Sequence, residues 1–321
     1  MSEASPLVSV IVPVFNSAAR LHASLGSIRS QSLTNFECIC VDDGSVDGSS
    51  AFLDEWAKSD SRFYVVHKPN GGVSSARNEG VALAGGKYLY FMDSDDMVHP
   101  DLLLTCTRLL DAHAADFIFF DYRRISDDEA RSWGWGNLRE APVKVIRHPV
   151  EFCSRECGLQ RCGVVQMMFR RDKWGLLRFD ENLHHGEDTL AFYSFLRDAT
   201  TGLWLKTAPY LYIQHDDSLT HCGKIKTPER NRIRLMETLA RHYSSKPKLF
   251  RVLRRTILAS MIRKPLKILL RRGKVPRTFL ALMALAFEKR LVLWTDFTPA
   301  WQFRIFMMLK FRWGVEKESC P

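Results

Sequence analysis

The sequence predicts an α/β fold in which a mostly parallel sheet is flanked by helices and followed by a basic α-helical region. Three observations predict it. Short runs rich in Val, Ile, Phe and Tyr alternate with helix-like segments over residues 7–122, polar and acidic residues gather just after those runs, and basic residues concentrate in the last third of the 321-residue chain. Strands that take turns with helices pair in parallel, and the ligands of such sheets bind outside the carboxyl ends of the strands.

Each element can be justified in order. LVSVIVPVF (7–15) reads as a buried strand; its alternation and the lack of a preceding basic residue argue against a secretory leader, so the site-bearing part is expected in the cytoplasm. A helix-like segment over 17–30 follows, then the strand FECICV, a helix over 47–59, the strand RFYVVH, a helix over 73–84, the strand KYLYFM, a helix over 100–113 and the strand DFIFFDY. The clusters after the strands then share one edge: Asn16 after the first, Asp42 and Asp43 after the second, Lys68–Asn70 after the third, and Asp93–Asp96 after the fourth.

Charge divides the chain. Residues 221–321 carry 24 Lys and Arg against 6 Asp and Glu, a balance of +18, whereas residues 1–220 carry 22 against 30, a balance of −8. The expected organisation is one α/β domain over 1–220 and a basic amphipathic helical region over 221–321. The longest apolar run of the second half, Phe279–Phe287, falls far short of the roughly 20 residues a spanning helix needs, so no transmembrane segment is predicted. Eight scattered cysteines form no disulfide framework, and the spacing of Cys153, Cys157 and Cys162 matches no paired C-x-x-C zinc pattern.

YLYFMDSDDMVHP (88–100) carries the strongest chemical signal: a buried strand ends in Asp93, Asp95 and Asp96 within four positions. Carboxylates that close repel, and hard divalent cations with oxygen ligands are the usual remedy. In VDDGSVDGS (41–49), Gly44 permits a tight turn and Ser45 or Asp47 can cap the next helix, which leaves a carboxylate able to read a pyrimidine N–H. KPNGGVSSARNEG supplies a glycine pair, a helix start and Arg77, a combination suited to a diphosphate or to an ordinary surface loop. HHGEDTLAF (184–192) places Glu187 and Asp188 ahead of an apolar helical run, as helix-terminal acids or as a base.

VSVIVPVFN, VDDGSVDGS, NGGVSSARNEG, FMDSDD and HHGEDTLAF resemble, in order and approximate spacing, the motifs of family 2 glycosyltransferases of GT-A fold, of the bacterial polysaccharide-assembly type. The resemblance is strong over 7–122, fair to about 220 and absent beyond. It implies a nucleotide-sugar site in which Pro13, Phe15, Asn16 and Asp43, or its neighbour Asp42, surround the base, with uridine the family-weighted choice. Asn70 and Arg77 lie near the nucleotide. Asp93-Ser94-Asp95 forms the DxD element, with Asp93 near ribose and Asp95 on a Mg2+ or Mn2+ ion. Asp188 matches the catalytic base of an inverting transfer and Glu187 its neighbour. Asp96 takes no role by resemblance. His215 can complete the metal sphere or touch phosphate, although many relatives carry an Arg near this place.

The implied partners are a nucleotide-sugar donor and a glycan or lipid-linked acceptor. Trp133 and Trp135 can stack on an acceptor sugar or anchor their own loop, and His184 and His185 are expected in an exposed loop. LFRVLRRTILASMIRKPLKILLRR (249–272) and TPAWQFRIFMMLKFRW (298–313) interleave basic and apolar residues. They suit either a bundle with a solvated basic face or an interfacial region on anionic lipid at the inner face of the cell membrane. A sugar nucleotidyltransferase would need a Gly-rich loop after the first strand, where this chain has PVFNSAAR. A catalytically dead nucleotide-binding or nucleic-acid-binding module is the other alternative, but no nucleic-acid motif is visible and no nucleic-acid partner is expected.

Overall fold

A computed structural model of the chain describes residues 5–153, 163–175, 177–183, 186–215 and 229–251. The first four strands are β1 (Val8–Val14), β2 (Phe36–Asp42), β3 (Phe63–His67) and β4 (Tyr88–Phe91), separated by the helices α1 (Ala18–Arg29), α2 (Ser49–Ser59) and α3 (Val73–Leu83). They pair in parallel in the order β3-β2-β1-β4. β4 is buried along its whole length because it has neighbours on both sides, whereas β3, at the sheet edge, is fully buried only at Phe63.

Beyond β4 the sheet is mixed. The chain continues through β5 (Met97–Val98), α4 (Leu102–Ala112), β6 (Phe117–Ser126), α5 (Asp127–Arg131), β7 (Val143–Ile146) and α6 (Pro149–Phe152). It then forms β8 (Met167–Arg170), α7 (Arg171–Trp174), α8 (Glu187–Leu196), β9 (Gly202–Gln214) and α9 (Glu229–His242). β8 runs antiparallel between β4 and β6, β9 is parallel to β6, and β9 also takes β5 and β7 antiparallel on its other edge. Since β1 is followed in sequence by β2 on one side and flanked by β4 on the other, the strand order reverses at the β1–β4 junction. Such reversal leaves a crevice at the carboxyl ends of the strands, where side chains from both directions converge.

The core beneath that crevice is apolar and closed: Val10, Val12, Val14, Cys38, Cys40, Tyr90, Met92, Leu102, Phe120 and Tyr210 belong to one buried cluster. Turns above it are tight. Asn16 adopts a left-handed conformation (φ 50°), which its short polar side chain tolerates, and Gly44 (φ 77°) lies so close to the next loop that a Cβ there would stand 2.9 Å from the Asn70 backbone nitrogen.

The chain divides into two compact units, Met1–Pro149 with Cys162–Lys226, and Val150–Arg161 with Thr227–Pro321. Every candidate site residue belongs to the first. In the second, Leu235 and Leu239 are buried one turn apart on α9. The basic segments 249–272 and 298–313 lie outside the described residues except at 249–251, as do His184, His185, Cys157 and Cys162. Among the described residues no helix is long and apolar enough to cross a membrane.

Candidate active site

At the end of β1, Phe15 is half exposed while Pro13 is partly covered. Asn16 is fixed from both sides: its N–H donates to Ser45 Oγ (3.0 Å) and its Oδ1 accepts from the Val46 N–H (2.9 Å). At the end of β2 the two aspartates divide their work. Asp42 accepts from the Ser45 N–H (3.0 Å), Ser50 Oγ (2.5 Å) and His67 Nδ1 (2.9 Å). Burial alone would raise its carboxyl, but these hydrogen bonds outweigh it and hold the group down at about 2. Asp42 therefore staples the turn. Asp43 turns the other way and accepts from Lys68 Nζ (2.8 Å), the Gly71 N–H (2.9 Å) and the Gly72 N–H (2.7 Å) at the start of α3. Three of about four acceptor positions are thus used, and one remains for a ligand. Asn70 is exposed beside it. Asp47 serves both flanking helices, accepting from Ala18 N (3.0 Å) and from Ser49 N (3.0 Å).

The three aspartates that end β4 have three different partners. Asp93 meets Arg77 (3.0 Å), Asp95 meets His215 Nε2 (2.9 Å), and Asp96 accepts from Tyr210 Oη and from the Ile213 N–H (2.9 Å). Ser94, between them, shares a 2.8 Å hydrogen bond with Ser17 after β1. Burial holds the Asp96 carboxyl well above the usual carboxylate range, with the neighbouring Asp95 and Asp93 adding to it. Asp96 is therefore the latch that brings β9 to the strand end, and His215, two residues past Ile213, arrives beside Asp95. The sequence offers no role for Asp96, because its partner Tyr210 lies 114 positions away.

Arg77, buried on α3, extends its other nitrogen to Glu187 (3.2 Å), the first residue of α8. This joins the strand end to the Glu187-Asp188 pair across 110 positions. Glu187 is 12% exposed, and its carboxyl is pushed up to about 7 by burial and by the charge of Asp188, against the opposing pull of Arg77. Asp188 Oδ1 accepts from the Thr189 N–H (2.6 Å). Arg77 and Asp93 both lie within electrostatic reach of Asp188.

The donor types at Asp95 and His215, a carboxylate and an imidazole, are ones that divalent cations take. Nε2 of His215 is paired with Asp95 and its buried Nδ1 has no hydrogen-bond partner; because the two ring nitrogens face away from each other, His215 and Asp95 would share one ion only if this pair parted. Among the described residues no three His, Cys, Asp or Glu side chains converge as a metal cage. Two protein donors completed by phosphate oxygens and water is the manner in which Mg2+ is usually held. Trp133 and Trp135 pack with Met97 against Ile125, Ala130, Leu211 and Ile213, so the loop is anchored on its own tryptophans. Cys153 is buried.

Solved structures share this architecture. S. aureus TarS in complex with UDP-GlcNAc superposes with a TM-score of 0.63 at 20% identity, covering 78% of this chain and 71% of that one. GalNAc-T7 with UDP, GalNAc and Mn2+ gives a TM-score of 0.52 at 16% identity, covering 77% and 52%. The fold is GT-A: a mixed α/β sheet flanked by helices. The family model described as "Glycosyl transferase family 2" matches residues 9–172, and the chain belongs to that family. Among named relatives, the Bacillus subtilis (strain 168) "Uncharacterized glycosyltransferase EpsJ" is 31% identical over 218 residues, 67% of this chain and 63% of its own length. The Streptococcus pneumoniae serotype 4 "Glycosyltransferase GlyG" is 34% identical over 126 residues, 39% and 42% of the respective lengths. The chain thus spans less than two thirds of either relative.

Glu187 makes stability depend on pH in a defined direction. Its carboxyl rises from 4.5 to about 7 on folding, so the folded chain holds this proton more tightly than the unfolded one. The associated stability is present below the unfolded value and is lost as pH rises through the folded value. Glu187→Gln removes the ionisation and keeps an acceptor for Arg77, so its stability relative to the parent should improve between about pH 5 and pH 8. A difference in urea midpoint between the two proteins that stays flat over this interval would contradict the assignment.

Proposed function

We propose that the chain transfers a sugar from a nucleotide-sugar, a uridine one, to a hydroxyl of a glycan or lipid-linked glycan during assembly of a cell-surface polysaccharide, with inversion at the anomeric carbon. The observation that carries this reading is the Arg77 bridge, which puts the acidic strand end and the Glu187-Asp188 pair in one site. Family membership supports the class of reaction, and the complexes of TarS with UDP-GlcNAc and of GalNAc-T7 with UDP and Mn2+ support the donor and the metal.

In this reading Phe15 lies against the base, Asn16 lines its edge, and the remaining lone pair of Asp43 accepts its ring N–H. Asn70 borders the nucleotide and Asp93 the ribose. Mg2+ or Mn2+, held by Asp95 and His215 with diphosphate oxygens, would offset the charge that develops on the leaving diphosphate. Asp188 takes the proton of the acceptor hydroxyl as its oxygen bonds to the anomeric carbon and the bond from that carbon to the diphosphate breaks on the opposite face. A sugar hydroxyl is a poor nucleophile near neutral pH, so such a base is needed within hydrogen-bond reach.

Asp188→Asn keeps the shape of the side chain and removes the base, and it should lower transfer by about a hundredfold to ten-thousandfold while donor affinity holds. Asp95→Asn should lower both transfer and the affinity for nucleotide in the presence of Mn2+. Rates for Asp188→Asn within a few-fold of the parent, or a product that retains the donor's anomeric configuration, would overturn the inverting scheme.

The balance of +18 over residues 221–321, interleaved with apolar residues, supports a peripheral placement on anionic lipid at the inner face of the membrane. Each basic residue near such a surface contributes roughly 1 kcal/mol. The full chain should therefore sediment with anionic vesicles at low salt, stay free of neutral ones, and be released as salt rises. Protein that remains in the supernatant with anionic vesicles at low salt contradicts this placement.

A further inference from the structure

We propose that Arg77 is a positioning residue whose buried guanidinium, bonded to Asp93 and to Glu187, sets where the first turn of α8, and with it Asp188, stands relative to the end of β4. The proposal rests on the reading of Asp188 as the base.

Arg77 is 5% exposed, so its charge is held away from water and needs compensation inside the protein. One terminal nitrogen is 3.0 Å from Asp93 and the other 3.2 Å from Glu187, while the buried Nε has no hydrogen-bond partner. A guanidinium placed to take a diphosphate presents an open fork of N–H groups. Here both terminal nitrogens are committed to protein carboxylates, one from each side of the site.

The anchoring is needed because α8 begins poorly. Its N-cap is Gly186, in a left-handed conformation (φ 88°), which has no side chain to cap the first turn. The link from Arg77 to Glu187 supplies the tether that the cap lacks. The next residue on α3 reinforces it. Asn78 donates to the Phe179 carbonyl (3.0 Å) and to Glu181 (2.9 Å), and accepts from the Phe179 N–H (2.8 Å). The Arg77 guanidinium also lies over the Phe179 ring at 5.5 Å. Two consecutive residues of α3 thereby hold the chain that leads into α8 at both Phe179–Glu181 and Glu187. The same helix holds Asp43 through the N–H groups of Gly71 and Gly72 at its start. α3 is thus the common gauge for Asp43, Asp93 and the base.

The test uses the full chain with Arg77→Lys, Glu187→Ala and the double variant, and three readouts: affinity for UDP with Mn2+, hydrogen exchange of the backbone amides at 187–190, and hydrolysis of whichever UDP-sugar in a panel the parent cleaves fastest. Arg77→Lys keeps the charge and loses the fork, and Glu187→Ala, which removes the acceptor but leaves the Arg77–Asp93 pair, tests the same link should Arg77→Lys unfold. Both should leave UDP affinity and KM within about threefold, lower kcat by about a hundredfold, and speed exchange at 187–190 by tenfold or more with β1 and β4 unaffected. The double variant should be little worse than either single one, because both cut the same link. UDP affinity that falls in step with kcat would make Arg77 a diphosphate ligand and overturn the proposal; unchanged exchange at 187–190 would do so as well. If the parent cleaves no UDP-sugar, it is the reading of the reaction that fails, and the exchange measurement still decides the role of Arg77.

Discussion

Crowded negative charge at the end of β4 is the constraint on which this structure depends. Asp93, Asp95 and Asp96 leave the strand together, and Glu187 and Asp188 come within electrostatic reach from α8. Burial pushes the Asp93, Asp96 and Glu187 carboxyls upward. The fold responds by distributing partners among them: one guanidinium shared by Asp93 and Glu187, an imidazole for Asp95, a phenol and a backbone N–H for Asp96, and the Thr189 N–H for Asp188. One buried arginine and one histidine do not balance five acidic groups. In the proposed function the remaining imbalance would favour a divalent cation and its diphosphate at this edge.

The sheet topology makes this concentration possible. Parallel β1, β2 and β4 bring three chain turns to one edge, and the reversal at β1–β4 opens the crevice between them. The antiparallel strands beyond β4 then return the later sequence to the same place: β9 carries His215 to Asp95, and α8 carries Asp188 to the other side of Arg77. The stapling hydrogen bonds of Asp42, Asp47 and Ser94 pre-set the loops, so a ligand would meet acceptors already in position.

Local patterns in the sequence were enough for the parallel half. LVSVIVPVF, RFYVVH and KYLYFM each contain the strand the structure shows, FECICV falls short of β2 only at Asp42, and the intervening segments contain α1, α2 and α3, because apolar runs and turn residues there act within a few positions. β5 and β8, of two and four residues, carry too little pattern to be read and exist through pairing with distant strands. The site was legible as a set of residue types after strands, but its internal division was not. Asp42 and Asp43 are equivalent in sequence, and only the fold shows that one closes a turn while the other holds α3. Arg77 reads as a surface group of a phosphate loop, yet it lies inside, because its partners are 16 and 110 positions away. The basic region after residue 251 lies outside the described residues, and its place in the account rests on composition.

The central claim is that the carboxyl edge of β1, β2 and β4 holds a nucleoside diphosphate through Asp95 and His215. A crystal structure grown with UDP and Mn2+, with diffraction recorded at the manganese absorption edge, tests it most directly. The account predicts an anomalous peak coordinated by Asp95 and His215, diphosphate oxygens on the same ion, and the uracil ring beside Phe15 and Asp43. UDP bound elsewhere, or manganese bound away from a still intact Asp95–His215 pair, would contradict it.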